Sequence, residues 1–160
     1  MWAVVPVPGA AEGIAALRAM GVTVVFNTNR SAANAAATEA AIDGAGLGPA
    51  VHKRTLWLQG DDDTGSLKDA RRWRIADKFC VVAMGGDQLG DFSDLFNSVP
   101  GAGKPSAPAR RAAALAPSVA RLWGAGWFVL PNPVYGTGVS GSMDEVFPAA
   151  RRWADPGGTP

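Results

Sequence analysis

Apolar and polar positions along the chain follow two alternating periods. In "VPVPGAAEGIAALRAMG", Ile14, Leu17 and Met20 fall on one helical face, Pro8 stands at a helix-opening position and Gly21 closes the pattern. "VTVVFNT", residues 22–28, is β-branched and aromatic, and predicts a buried strand. An alanine-filled helix follows, with Ser31 as its N-cap and Gly44 or Gly46 as its stop. "RTLWLQ" (54–59) predicts a second strand, "GDDDTGS" a loop, "LKDARRWRIAD" a helix and "FCVVAM" (79–84) a third strand. Next come a short helix in "DFSDLFNS", a proline- and glycine-rich loop, a helix interrupted near Pro117, and a last strand in "WFVLP" (127–131). The tail from 154 to 160 is expected to fray. Helices alternating with short apolar strands predict a single α/β domain over 1–160, with a mainly parallel sheet and helices on both faces.

Composition narrows the class. The chain has 160 residues, 48% apolar and 18% charged, enough for a hydrophobic core and against wholesale disorder. A net charge of +1 supplies no field for nucleic acid, and the Arg-Arg pairs are scattered. The single cysteine, Cys80, is read as a small core residue of its strand. No stretch reaches the ~18 consecutive apolar residues of a membrane span, and the N-terminus lacks the pattern of a signal peptide.

In open parallel sheets ligands lie beyond the carboxyl ends of strands. One strand end carries Thr28, Asn29 and Arg30 just before a helix, where a hydroxyl and backbone N–H groups can cradle a phosphate. Lys68 opens the helix after the second strand and can reach a phosphate as a point charge. "VVAMGGDQLGDF" (81–92) places Asp87 and Asp91 on a turn past the third strand, a pair suited to a hard cation such as Mg²⁺. Each feature alone is as well explained by a cap or a solvated turn, but their order along the chain is distinctive.

That order resembles the haloacid dehalogenase (HAD) superfamily, and more closely the class C acid phosphatase and lipoprotein 5′-nucleotidase family. The matching stretches are "PGA" (8–10), "VVFNTNR" (24–30), Thr38, "LWLQ" (56–59), "LKDARR" (67–72), "GDQLGDF" (86–92) and "WFVLPNPVYG" (127–136). The resemblance implies a Rossmann-like fold and Mg²⁺-dependent hydrolysis of phosphomonoesters such as 5′-nucleotides, in a periplasmic or secreted setting. It gives Thr28 the transferring phosphoryl group, lets Lys68 offset charge on nucleophile and phosphate, and makes Asp87 and Asp91 the Mg²⁺ residues, Asp87 directly and Asp91 through water or by orienting a neighbour.

The family's Asp-x-Asp-x-Thr nucleophile motif lies upstream of these stretches, and here no aspartate precedes Asp43. The chain is therefore expected to lack the family's first, central strand, and to be inactive as it stands. Trp2–Val7 filling the gap, the neighbouring strands closing up, and a second copy contributing in a homodimer are three alternatives. The alternative to an inactive phosphatase relative is a noncatalytic phosphate- and Mg²⁺-binding or interaction protein. "GTGVSG" (136–141) satisfies a dinucleotide-binding pattern, but Pro131 and Pro133 separate it from its strand. "DDDTG" (61–65) has the wrong spacing for the nucleophile motif and is expected to be a solvated loop. The lone His52 is expected at or near the surface, and the six tryptophans mostly in the core.

Overall fold

The computed structural model describes residues 5–97, 105–130, 132, 134–153 and 157. Its contacts divide the chain into two units, residues 1–80 and 81–160. In the first, α1 (Ala10–Ala19) is followed by β1 (Phe26–Ser31), α2 (Ala35–Gly44), β2 (Leu56–Gln59) and α3 (Asp69–Ala76). In the second, β3 (Met84–Gly86) is followed by α4 (Ala107–Ala114), α5 (Pro117–Ala120), β4 (Trp127–Val129) and α6 (Met143–Val146). The α/β class expected from the sequence holds. The expected parallel pairing is present, and among the described residues it forms two two-stranded sheets, β1–β2 and β3–β4.

The first strand lies further along the chain than the apolar run predicts. Val22–Val25 have strand-forming side chains, yet the ladder begins at Phe26, which pairs with Leu56. Upstream of Leu56 the chain turns back on itself, with Leu56 N donating to Val51 O at 2.9 Å, so β2 does not extend far enough to pair with 22–25. β1 instead continues into the polar residues Asn27–Ser31. Its register with β2 breaks there, since Asn27 faces Trp57 and Ser31 faces Gln59. Four steps on β1 match two on β2, a bulge that re-aims the side chains between them.

The third strand is displaced in the same way. Only Met84–Gly86 pair with Trp127–Val129, and Val81 and Val82 are exposed. Cys80, expected in the core, is exposed as well. Val5–Val7 form no strand, and Trp2–Val4 lie outside the described residues, as do most of the Pro/Gly loop (98–104), Pro131, Pro133 and most of the tail.

Each unit has its own core. Leu56 and Leu58 are fully buried with Ala50 against Phe26, Ala32, Ala35 and Ile42. In the second unit Phe92, Phe96 and Ala114 pack with Trp123 and Trp127. Trp123 stands edge-on to Phe92 (5.0 Å between centroids) and to Trp127 (5.2 Å), the geometry that the aromatic quadrupole favours. Its indole N–H donates to Ala114 O at 2.8 Å, the last residue of α4. Not every tryptophan is internal: Trp73 and Trp153 are exposed.

Candidate functional site

At the carboxyl end of β1 the bulge presents Thr28, Asn29 and Arg30. Thr28 Oγ1 accepts from Arg30 N at 3.3 Å, which leaves its hydroxyl proton to donate outward. Asn29 is a strut: its Nδ2 donates to Ser66 O at 2.9 Å and its Oδ1 accepts from Arg71 at 2.7 Å. Arg30 is exposed. Ser31 is a cap as expected, accepting from Ala33 N at 3.3 Å, though it caps a 3₁₀ turn (Ala32–Asn34) that leads into α2.

Lys68 occupies the N-cap position of α3. Its ammonium donates to the carbonyl of Asn27 at 3.2 Å, so the structure does bring Lys68 to the Thr28 end of β1. Beside it, Asn27 Oδ1 and Trp57 Nε1 are buried without a hydrogen-bond partner, and these two residues face each other across the β1–β2 ladder.

Arg71 is the residue that sequence reasoning missed. It is fully buried. One guanidinium nitrogen donates to Thr28 O at 2.7 Å, and the other to Asn29 Oδ1 and Leu67 O, each at 2.7 Å. Its Nε lies 3.3 Å from the buried carboxylate of Asp62, a Coulombic contact without hydrogen-bond alignment. The available clue was helical spacing: Leu67, Arg71 and Ile75 share one face, and Arg71 and Ile75 are the buried residues of α3.

The "DDDTG" segment is a loop as expected, exposed at Asp63–Gly65, but the side chains of its first two aspartates are buried. The side chain of Asp61 is 1% exposed; its carboxylate accepts from Leu58 N at 2.7 Å and pairs with His52 Nε2 at 2.8 Å. Asp61 thus occupies the N–H of Leu58 at β2 and gives the lone histidine a partner that the sequence did not suggest.

In the second unit the turn after β3 is built around Asp91. Its Oδ2 accepts from the amides of Asp87 (3.1 Å) and Gln88 (3.0 Å), the reciprocal half of a capping box with Gln88. Gly86 is required, because a Cβ there would lie 2.6 Å from Asp91 Cβ. This accounts for the two carboxylates at four-residue spacing: Asp91 folds the turn, and Asp87 stands exposed on it. Asp87 Oδ2 accepts from Asn132 Nδ2 at 2.8 Å, so the "NPVYG" stretch supplies a second residue missed in the sequence. An open cavity of about 320 Å³ lies beside Asp87, with Leu89, Val129, Val139 and Phe147 among its walls.

The exposed Asp87 carboxylate could serve as one oxygen ligand to a hard cation that keeps most of its water. Among the described residues no group of three or more His, Cys, Asp or Glu is placed to hold a metal. The "GTGVSG" glycines serve packing: a Cβ on Gly136 would strike the Gln88 side chain at 2.2 Å, and Gly136 has φ +109°. The helix that follows, α6, has only four residues.

The family model for the HAD superfamily, subfamily IIIB (acid phosphatase) matches residues 2–138. The chain belongs to this family. No curated protein matches it. Among solved structures it is similar to the class C acid phosphatase from Bacillus anthracis, with a TM-score of 0.67 and 25% identity over 81% of this chain and 50% of that one. The chain therefore spans half the length of that HAD phosphatase.

Proposed function

We propose that this HAD-family chain binds the phosphoryl group of a phosphomonoester through Thr28 and Lys68, and Mg²⁺ through Asp87, and that these 160 residues do not turn the ester over by themselves. The observation that carries the proposal is the arrangement at β1, where the register shift lies at the half-buried Thr28 and Lys68 is anchored at 3.2 Å to the preceding carbonyl. Thr28 would donate to a phosphate oxygen, and the Lys68 ammonium would offset its charge. Arg30 adds an exposed cation to the same segment.

Asp87 would hold the cation, and Asp91 would hold Asp87 by accepting from its backbone. When bound there, Mg²⁺ would supply a local positive charge. Phosphomonoesters such as 5′-nucleotides are the ligands that the family resemblance suggests.

Phosphate release from an aryl phosphate and from a 5′-nucleotide, with and without Mg²⁺, tests the proposal. No turnover is expected, together with Mg²⁺ binding that is lost in Asp87→Asn. Mg²⁺-dependent turnover abolished in Asp87→Asn would show that another carboxylate acts as nucleophile, and would overturn the proposed loss of chemistry.

A further inference from the structure

A guanidinium is costly to bury unless an opposite charge and hydrogen-bond acceptors offset the loss of water. Arg71 is 0% exposed, and its contacts have a pattern. Two end on the bulge of β1, at Thr28 O and Asn29 Oδ1. One ends on Leu67 O, the residue before Lys68. Asp62 supplies the opposing charge from the loop after β2. Asn29 closes the frame by donating to Ser66 O. One rigid planar group therefore ties the Thr28 segment to the Lys68 segment, beside the Lys68–Asn27 and Asn29–Ser66 hydrogen bonds.

We infer that Arg71 is the positioning residue of this pocket, setting the distance between the Thr28 hydroxyl and the Lys68 ammonium without touching the ligand. The inference rests on the assignment of Thr28 and Lys68 to phosphate. Arginine is required for geometric reasons. A lysine at 71 keeps the charge opposite Asp62, but its single nitrogen cannot reach Thr28 O, Asn29 Oδ1 and Leu67 O in the fork arrangement.

The test uses the whole chain in four forms: unaltered, Arg71→Lys, Lys68→Met and the double variant. Two quantities are read, the affinity for inorganic phosphate and amide hydrogen exchange at 28–30 and 67–69. Arg71→Lys is expected to weaken phosphate about tenfold, and to weaken it less in the Lys68→Met background, because part of its effect acts through Lys68. Exchange is expected to quicken in both segments while the amides of α2 stay protected. If Arg71→Lys does not fold, Asn29→Ala removes one arm of the frame from an exposed position and should loosen the same two segments. Unchanged exchange in both segments, or full additivity of the two substitutions, overturns the inference. Absence of phosphate binding in the unaltered chain, with faster exchange in Arg71→Lys, upholds the brace and overturns the phosphate assignment.

Discussion

Single residues divide the labour of the Gly86–Asp91 turn. Asp91 meets two backbone amides, so Asp91→Ala should cost about 1–3 kcal/mol of stability through unsatisfied donors, and weaken Mg²⁺ indirectly. Asp87 is exposed, so Asp87→Asn should leave the thermal midpoint nearly unchanged and remove Mg²⁺ binding. Parallel melting and metal titrations of the two variants check this division; equal loss of stability would contradict it. Gly86→Ala forces a contact at 2.6 Å with Asp91 Cβ and should destabilise by about 1–3 kcal/mol, measured by denaturant unfolding. The contrast between Asp87 and Asp91 could be anticipated only in part from their spacing, which fits a capping turn and a cation pair equally well. Arg71 was harder to find, since Arg71 and Arg72 are neighbours in sequence and only the helical face separates the buried one from its partner, which pairs with Asp69.

Among elements, the helices were the most legible, because their caps are local: Ser31, Gly44 and Pro117 all stand at ends or breaks. The strands were legible in existence and not in extent. "VTVV" and "FCVV" have the right side chains, but a strand begins only where a neighbour supplies its ladder, and that information lies elsewhere in the chain. The same holds for Asp61, whose burial depends on Leu58 N and on His52. Local chemistry does fix the start of α6. Glu145 accepts from Ser142 N at 2.9 Å, and that backbone hydrogen bond, followed by the Ser142 hydroxyl, holds its carboxyl below the ordinary glutamate value. A lowered value in the capped state means that the cap is at full strength above the ordinary glutamate range and is lost as pH falls through the lowered value. The Glu145 carboxyl carbon should therefore titrate at lower pH than an unstructured glutamate, and Ser142→Ala, which keeps the backbone donor, should return it only part of the way.

On the scale of the molecule, each unit carries a small core that tolerates little loss. Leu58 and Phe96 are essentially unexposed, so Leu58→Ala should cost about 2–5 kcal/mol and Phe96→Ala about 3–5 kcal/mol, read from denaturant midpoints. The first unit carries the Thr28–Lys68 cradle and its Arg71 brace; the second carries the Asp87 turn. The claim on which the functional account stands is phosphate recognition by Lys68 and Thr28. The most direct measurement is a ³¹P NMR titration of inorganic phosphate with the unaltered chain and with Lys68→Met. Saturable binding that falls at least about tenfold in Lys68→Met is the predicted result, in keeping with loss of a charge-assisted hydrogen bond. Absence of binding, or binding unchanged by Lys68→Met, would contradict the account.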